Sequence, residues 1–348
     1  MVMKIDGVSL GNLVKPYVIA EMSGNHGNSY ANAEKLLIQC AKNGASAFKL
    51  QTYTPESMTL NCTRPEYIVN SGPWVGRNLF DLYSEGQTPA KWIPDLFQVA
   101  KDLGISIFSS PFSPRDVEIL ESNSVSAYKV ASFEINYTQL LKSIGQTGKP
   151  VVFSTGLAKL DEIQYAIDTL INAGSTEISI LKCSTSYPAR IESLNLLTIP
   201  YLAEKYKVPV GFSDHTIGNN AAICAVSVGA TILEKHVKLD DDETSVDASF
   251  SLAVSNLPLY IGAVTEAALS RGTVQDGPTK DEEGYLKYRR SIVANRRIEK
   301  GEVLTEKNLS VVRPDIGLPA RAMDEVINKT AGRTIEFGEG IKFDDLAR

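Results

Sequence analysis

A strand-like segment followed by a helical segment recurs eight times along the chain. This alternation restricts the possible folds more than any other feature of the sequence. The strand-like segments are short and apolar, whereas the helical ones repeat apolar residues at helical spacing. The predicted strands are Tyr17–Glu21, Ala47–Thr52, Ile105–Ser110, Ala127–Ser132, Pro150–Thr155, Ile178–Ser184, Val208–Asp214 and Thr231–Val237. Parallel βα units in this number predict a (β/α)8 TIM barrel. A doubly wound sheet is the alternative, but no predicted strand is followed by the G-x-G-x-x-G pattern of that fold.

Polar side chains stand at the carboxyl ends of these predicted strands. Active sites of such barrels are built at that end, from several strands at once. The residues concerned are Glu21, Lys49, Gln51, Ser110, Lys129, Ser132, Ser154, Ser213, His215, Glu234 and His236. The sequence therefore predicts a polar site at one mouth of the barrel.

Two of these residues, Lys49 and Lys129, alternate with apolar neighbours and are expected to point into the barrel. Buried lysines are rare without an anionic partner. Beside several hydroxyls they would form a cradle for a phosphate and a carboxylate. The alternative is that they form structural ion pairs with Glu21 and Glu134. Those glutamates could instead transfer protons or accept hydrogen bonds from sugar hydroxyls.

Two of the three histidines, His215 and His236, lie 21 residues apart at the ends of consecutive predicted strands. Neighbouring parallel strands are about 5 Å apart, so both imidazoles could reach one divalent metal ion. The alternative is two unrelated polar residues. The third histidine, His26, lies in a loop rich in Gly, Asn and Ser, which is either a site loop or a turn.

The segments between and after the strands predict the domain organisation. Pro55–Thr88, which contains Trp74, has no clear periodicity and is interpreted as an extended loop covering the site. Asp247, after the last strand, could turn back towards the site. We predict a catalytic barrel at residues 1–271, a polar linker at 272–285 and a loop-rich β module at 286–348.

Composition excludes several classes of function. The net charge is −6 with acids and bases well mixed, which argues against a nucleic-acid binder. No apolar run approaches the ~20 residues of a membrane span. The start, MVMKIDGVSL, lacks the apolar core of a signal peptide, and the four cysteines show no CxxC pairing. We therefore expect a cytoplasmic protein with reduced cysteines.

The chain resembles the sialic acid synthase family in segments that run in one order along nearly its whole length. They are IAEMSGNHGNS, FKLQTYT, YKVASFE, FSTG, KCSTSYP, GFSDHTIG, EKHV and DASFSL. The tail RRSIVANRRIEKGEVLTEKNLSVVRPDIGLPA is similar to the family's C-terminal antifreeze-like (SAF) domain. The resemblance implies a TIM barrel followed by a β-rich SAF domain, and an enzyme that condenses phosphoenolpyruvate with an amino sugar aldehyde.

Within the family, EMSGNH and KCSTSYP are most similar to the branch that makes pseudaminic acid. The neuraminate and legionaminate branches, which are the alternatives, more often carry an IG[VI]NHNG segment. Two positions depart from the common pattern: Thr185 stands where neuraminate synthases carry Asn, and His26-Gly27-Asn28 stands where the family usually has His-Asn-Gly.

The resemblance implies roles for matching residues. Phosphoenolpyruvate would be held by Lys49, Ser110, Lys129, Ser132, Ser154, Thr185 and Ser213. The sugar would contact Glu21, Gln51, Tyr187 and Asp247, and the partner subunit's Arg313 would reach its acyl group in a domain-swapped homodimer. Catalysis would involve Lys129 and either Glu21 or Glu134. His215 and His236 would bind Mn2+, with Mg2+ or Co2+ as alternatives.

Two other functions compete with this interpretation. A keto-deoxy sugar phosphate synthase on the same barrel would need extra cationic groups for its sugar phosphate, and the antifreeze-like tail argues against it. A sugar-binding barrel without activity is the other alternative, because barrels host many functions.

Overall fold

The computed structural model describes residues 3–11 and 14–347. In that part of the chain, one sheet of nine parallel strands contains the short strand Leu252–Ala253 and the eight strands of the barrel. We number them β1 Tyr17–Glu21, β2 Ala47–Thr52, β3 Ser106–Pro111, β4 Tyr128–Val130, β5 Val151–Ser154, β6 Ile178–Cys183, β7 Val210–Asp214 and β8 Ile232–Lys238. They agree with the predicted strands to within one or two residues at most ends.

The sheet closes on itself, which confirms the TIM barrel and excludes the doubly wound alternative. Each strand pairs in parallel with the next along the chain. Strand β8 pairs with β7 through Leu233 and Phe212, and with β1 through Ile232 and Tyr17. Because the strands are parallel, all of their carboxyl ends meet at one mouth of the barrel.

Helices surround the strands and set their spacing. Those in the first 272 residues are Tyr30–Lys42, Pro55–Met58, Leu79–Gly86, Ile93–Leu103, Pro114–Ser122, Thr138–Gln146, Leu160–Ala173, Thr198–Tyr206, Asn220–Ser227 and Leu257–Arg271. The helix after β3 begins as predicted, because the Ser113 hydroxyl accepts a hydrogen bond from the Asp116 amide and Pro114 occupies the first turn.

Three α-helices and a short hairpin in the described part of the first 272 residues were not predicted. Pro55–Thr88 is not an extended loop throughout, because it contains the helices Pro55–Met58 and Leu79–Gly86. Asn78 caps the second helix by accepting from the Phe80 amide, and Leu82 is buried. The helix Thr198–Tyr206 completes the βα unit after β6, and Lys4–Ile5 pairs with Val8–Ser9 as a short hairpin.

Successive side chains along each strand point alternately towards the surrounding helices and into the interior of the barrel. In β2, Phe48 and Leu50 are fully buried apolar residues and alternate with Lys49 and Gln51. In β4, Tyr128 and Val130 flank Lys129 in the same way. Burial on both faces fixes the register, so the polar residues at the strand ends hold defined positions at the mouth.

The chain divides into two compact units, Met1–Gly272 and Thr273–Arg348. The second has its own apolar core and is built on the antiparallel strands Ser291–Ala294 and Leu309–Val312, with short helices Lys280–Glu283 and Met323–Val326. Gly340 is required there, because a Cβ at this position would lie 2.2 Å from the Ile316 carbonyl oxygen. No helix in the described residues is long and apolar enough to cross a membrane.

Candidate active site

Four buried charged residues form a continuous network at the mouth of the barrel. The Lys49 ammonium lies 2.5 Å from Glu21 Oε2 and 3.9 Å from Glu234 Oε2. The Lys129 ammonium lies 3.9 Å from Glu234 Oε1. Lys49 therefore pairs with Glu21, as the ion-pair alternative anticipated, whereas Lys129 pairs with Glu234 rather than with Glu134. The sequence places Glu234 at a strand end but does not indicate its role.

Hydroxyl groups surround the two ammonium groups. Lys129 donates to Ser154 Oγ at 2.7 Å, and Lys49 donates to Ser110 Oγ at 3.1 Å. Ser132 Oγ and Thr185 Oγ1 are 3.2 Å apart, and Ser213 donates to Glu234 at 3.2 Å. All seven residues expected to hold phosphoenolpyruvate therefore lie in this region, in an arrangement of cations and hydroxyls suited to a buried dianion.

Gly156, which follows β5, allows the hydroxyl groups to approach so closely. Its φ is +45°, and a Cβ there would lie 2.2 Å from Ser132 Cβ and 2.6 Å from Thr185 Oγ1. Only a residue without a side chain fits between these two hydroxyls. The FSTG segment contains this glycine, but the close approach is made by residues distant in sequence.

His215 and His236 face one another, with ring centroids 5.4 Å apart. His215 Nδ1 lies 3.0 Å from the Ser184 carbonyl oxygen, to which it donates, so its Nε2 carries the free lone pair. His236 Nδ1 is buried and accepts no hydrogen bond from any described residue. Burial disfavours the charged ring and lowers the pKa of His236 well below its ordinary value, which keeps the ring neutral.

A neutral imidazole with an unused lone pair is a suitable metal ligand. Among the described residues, no group of three or more His, Cys, Asp or Glu side chains is arranged to hold a metal ion. The protein would therefore supply the two imidazoles, and water or substrate oxygens would have to complete the coordination shell.

The residues expected to contact the sugar lie beside the histidines. Tyr187 stacks on His215, with ring centroids 4.4 Å apart. Asp247 Oδ2 lies 3.9 Å from His236 Nδ1, so this loop does turn back to the site. Gln51 donates to Glu21 Oε1 at 3.1 Å. Two aromatic residues that the sequence did not assign, Trp74 and Phe250, pack against Tyr187.

The two candidate proton-transfer residues have different surroundings. Burial raises the pKa of Glu21 to about 7 against the opposing charge of Lys49, and both of its oxygens are engaged by neighbours. Burial also raises the pKa of Glu134 to about 7 against the charge of Lys129. No described residue makes a hydrogen bond to Glu134 Oε2. Glu21 Oε2 also lacks a hydrogen-bond partner among the described residues, but it is paired with the Lys49 ammonium, whereas Glu134 Oε2 is not paired with a described cation.

Of two further residues named from the sequence, His26 belongs to a loop of the barrel unit and Arg313 belongs to the C-terminal unit. His26 Nδ1 accepts from the Asn28 amide at 3.0 Å and Nε2 lies 3.3 Å from the Gly86 carbonyl oxygen, so both ring nitrogens hold the loop together. His26 is therefore part of a structured turn. Arg313 is exposed in the C-terminal unit, and its contact with a partner's sugar stays a prediction.

Both the barrel region and the C-terminal region of the chain match known protein families. A model of the NeuB family matches residues 36–276, and a model of the SAF domain matches residues 289–347. Pseudaminic acid synthase of Campylobacter jejuni subsp. jejuni serotype O:23/36 is 39% identical over 335 residues, which cover 95% of this chain and 97% of that protein. Pseudaminic acid synthase of Helicobacter pylori is 36% identical over 339 residues, covering 97% and 99%.

A solved structure shows the same architecture. The putative spore coat polysaccharide biosynthesis protein E from Chromobacterium violaceum superposes with a TM-score of 0.76 at 25% identity, covering 96% of this chain and 100% of that one. The barrel and the C-terminal SAF domain therefore agree with the families matched by the sequence. The chain belongs to the NeuB family.

Proposed function

We propose that this chain is a phosphoenolpyruvate-dependent nonulosonic acid synthase that makes pseudaminic acid. Its substrates are phosphoenolpyruvate, 2,4-diacetamido-2,4,6-trideoxy-L-altrose and water, and its products are pseudaminic acid and phosphate. The observation that carries this proposal is full-length similarity to two pseudaminic acid synthases, at 39% and 36% identity. The buried lysine and hydroxyl cradle beside two histidines supports it, because the reaction needs an anion site next to an aldehyde site.

The cradle binds phosphoenolpyruvate through charge. Lys129 and Lys49 face the phosphate and carboxylate, and the hydroxyls of Ser132, Ser154 and Thr185 donate to their oxygens. These donors are fixed before the substrate arrives, so they stabilise the charge that develops on the departing phosphate with little reorganisation. Glu234, between the lysines, holds both ammonium groups in place in the free enzyme.

The bond changes follow from the two substrates. Carbon 3 of phosphoenolpyruvate attacks the aldehyde carbon and forms the new C–C bond, and the aldehyde oxygen takes up a proton. A water oxygen adds at carbon 2, giving up its proton. The hydroxyl at carbon 2 of this tetrahedral centre then loses its proton as the C–O bond to phosphate breaks, which releases phosphate and leaves a ketone at carbon 2. Glu134 is the base for the water proton, because its raised pKa and free oxygen suit that task near neutral pH.

His215 and His236 would hold a divalent metal ion, for which Mn2+ is the first choice and Mg2+ or Co2+ are alternatives. When bound, such an ion polarises the aldehyde oxygen as a Lewis acid. The orphaned nitrogen of His236 and the lone pair on His215 Nε2 support this assignment. Tyr187, Asp247, Gln51 and the partner subunit's Arg313 are proposed to orient the sugar.

A substrate panel tests the proposal. Purified protein is incubated with phosphoenolpyruvate, Mn2+ and one of several sugars, and phosphate release is measured together with the mass of the sugar product. We expect the 2,4-diacetamido-6-deoxy sugar to be used with a much higher kcat/KM than N-acetylmannosamine. Equal use of N-acetylmannosamine would favour an N-acetylneuraminate synthase, and preference for the legionaminic acid precursor would favour that branch. No phosphate release with any sugar would indicate a binding protein.

A further inference from the structure

Three aromatic side chains form a wall at the site, and two of them, Trp74 and Phe250, have no role in the chemistry above. We call Trp74, Tyr187 and Phe250 the aromatic wall. The Tyr187 ring centroid lies 5.4 Å from that of Trp74 and 5.1 Å from that of Phe250, and Trp74 and Phe250 are 5.9 Å apart. The wall adjoins the histidines, because Tyr187 stacks on His215 and the Phe250 ring lies 5.2 Å from His236.

Trp74 reaches this position from a turn far from the barrel strands in sequence. The Val69 amide donates to the Arg77 carbonyl and the Gly76 amide donates to the Val69 carbonyl, which makes a tight hairpin with Trp74 near its tip. The indole Nε1 then donates to the Val246 carbonyl oxygen at 2.8 Å. Val246 directly precedes Asp247, so this bond fixes the hairpin to the loop that carries a proposed sugar contact.

The site has a charged end and an aromatic end, and the contacts between neighbouring side chains show which groups lie between them. Lys129 and Glu234 lie at one end, His215 and His236 follow, and the wall lies beyond the histidines. Phosphoenolpyruvate occupies the charged end, and the aldehyde carbon of the sugar must meet its carbon 3 near the histidines. The carbons of the sugar farthest from the aldehyde therefore extend towards the wall.

We propose that Trp74 is a specificity-determining residue, which with Phe250 forms the apolar surface that accepts the carbon 6 methyl group of a 6-deoxy sugar. This inference rests on the proposed function and names the part of the substrate that this surface selects. A hydroxymethyl group at carbon 6 would have to bury its hydroxyl against two rings. The side chain of Phe250 offers no hydrogen-bonding group, and the one polar hydrogen of the Trp74 side chain is already donated to the Val246 carbonyl oxygen.

The expected preference for the methyl sugar over the hydroxymethyl sugar follows from burial of the carbon 6 hydroxyl. A buried hydroxyl without a partner is disfavoured, but apolar pockets reject an added hydroxyl only about 100-fold. The wild-type enzyme should therefore prefer the methyl sugar over the hydroxymethyl sugar by about 10- to 100-fold in kcat/KM. Tyr187 keeps its hydroxyl for a polar group of the sugar, so the selection at carbon 6 depends on Trp74 and Phe250.

The test compares two 2,4-diacetamido sugars that differ only in methyl or hydroxymethyl at carbon 6. Full-length protein with Mn2+ and phosphoenolpyruvate is assayed as wild type, Trp74→Phe, Trp74→Gln and Trp92→Phe. Trp74→Phe keeps an apolar ring and should keep most of the preference. Trp74→Gln places an amide in the wall and should lower the preference at least about tenfold, with an unchanged KM for phosphoenolpyruvate. Trp92 packs on His26 and Tyr30, and no ring contact joins it to the wall among the described residues, so Trp92→Phe is the matched control.

A second measurement needs no variant. With the wild-type protein, saturation of the aromatic protons should transfer more strongly to the carbon 6 methyl protons than to either acetamido methyl group. A weaker transfer to the carbon 6 methyl, or a preference unchanged in Trp74→Gln, would overturn the role of Trp74. Absence of phosphate release with both sugars in the wild-type protein would instead refute the proposed function, so the two failures are distinguishable.

Discussion

Asp214 and Lys235 form a buried ion pair directly behind the two histidines, with the Lys235 ammonium 3.1 Å from Asp214 Oδ2. They are cross-strand partners in β7 and β8, and the next pair in the register is Ser213 and Glu234. Ser213 donates to Glu234 inside the barrel. The two strands that carry His215 and His236 are therefore joined by side chains on both faces.

This relationship predicts a large effect of Lys235→Met on stability. The variant leaves the Asp214 carboxylate buried without its cation, which costs about 3–5 kcal/mol of unfolding free energy. Asp214 keeps its hydrogen bonds from Thr216 and Tyr260, so the barrel should still fold. Denaturant unfolding of the single variant and of Lys235→Met with Asp214→Asn measures the effect. The double variant should lose less than the sum of the single variants, and strict additivity would contradict the pairing.

Gly156→Ala should damage the use of phosphoenolpyruvate. The new Cβ would lie 2.2 Å from Ser132 Cβ, so Ser132 and Thr185 would have to move apart. We expect KM for phosphoenolpyruvate to rise at least tenfold (about 1.4 kcal/mol) while KM for the sugar changes little. Gly148→Ala is the matched control, because Gly148 also has a positive φ but has no described atom outside its own neighbourhood within 4 Å of a built Cβ. If both substitutions raised KM for phosphoenolpyruvate equally, backbone strain alone would explain the rise.

The features of the fold that depend on the spacing of apolar residues could be predicted from the sequence. Tyr17–Glu21 and Ala47–Thr52 are observed with the predicted bounds because their apolar residues repeat where both faces are buried. His215 and His236 meet because parallel strands bring their carboxyl ends together, which the order of the βα units already implies.

The rest of the site depends on contacts that periodicity does not encode. Trp74 comes from a hairpin without apolar repetition, and only the hydrogen bond to Val246 brings it to the site. The ion-pair alternative assigns Lys129 to the glutamates Glu21 and Glu134, but the ammonium of Lys129 lies 3.9 Å from Glu234 Oε1. Gly156 is one of many glycines in the sequence, and its role requires knowing that Ser132 and Thr185 flank it.

The pH dependence of the reaction should report Glu134. As the base for water it must be ionised, so kcat/KM should rise with pH and level off above its pKa of about 7. Glu134→Gln should lower kcat strongly and remove this rise. A rise through the same pH range that persists in the variant would assign the base to another group.

The raised pKa of Glu134 also predicts how the stability of the folded protein depends on pH, which can be measured without turnover. Burial raises the folded-state pKa of Glu134 above its ordinary value of 4.5, so the folded protein favours the neutral carboxyl. Its contribution is fully present below pH 4.5 and is lost as the pH rises to about 7. Glu134→Gln is neutral at every pH, so it should raise the Tm relative to wild type more at about pH 8 than at about pH 5.

Metal removal should abolish turnover, and added Mn2+ should restore it. Two imidazoles leave coordination positions for substrate oxygens, so the ion would be exchangeable and accessible to a chelator. Direct binding of Mn2+, measured by electron paramagnetic resonance, should be lost in His236→Ala and kept in Glu134→Gln. Full activity of demonstrably metal-free protein would refute the role of His215 and His236.

The last prediction concerns shared sites in a dimer. Residues 273–279 have no regular structure between the barrel's last helix and Lys280–Glu283, and the tail forms a compact unit of its own. Such a tail can serve the partner's barrel, where Arg313 would donate to an acyl oxygen of the sugar. Lys129→Ala should lack phosphoenolpyruvate binding, and Arg313→Ala should lack this sugar contact, so each homodimer should be nearly inactive.

Mixing the two variants under conditions that exchange subunits distinguishes shared sites from separate ones. If the tail serves the partner, a heterodimer contains one site with both Lys129 and Arg313 intact, and activity should partly return. If each tail serves its own barrel, every site lacks one of the two residues, and the mixture should stay as inactive as its parents. Differently tagged subunits, recovered together after mixing, establish that exchange occurred. An inactive mixture that contains heterodimers would therefore refute the shared site.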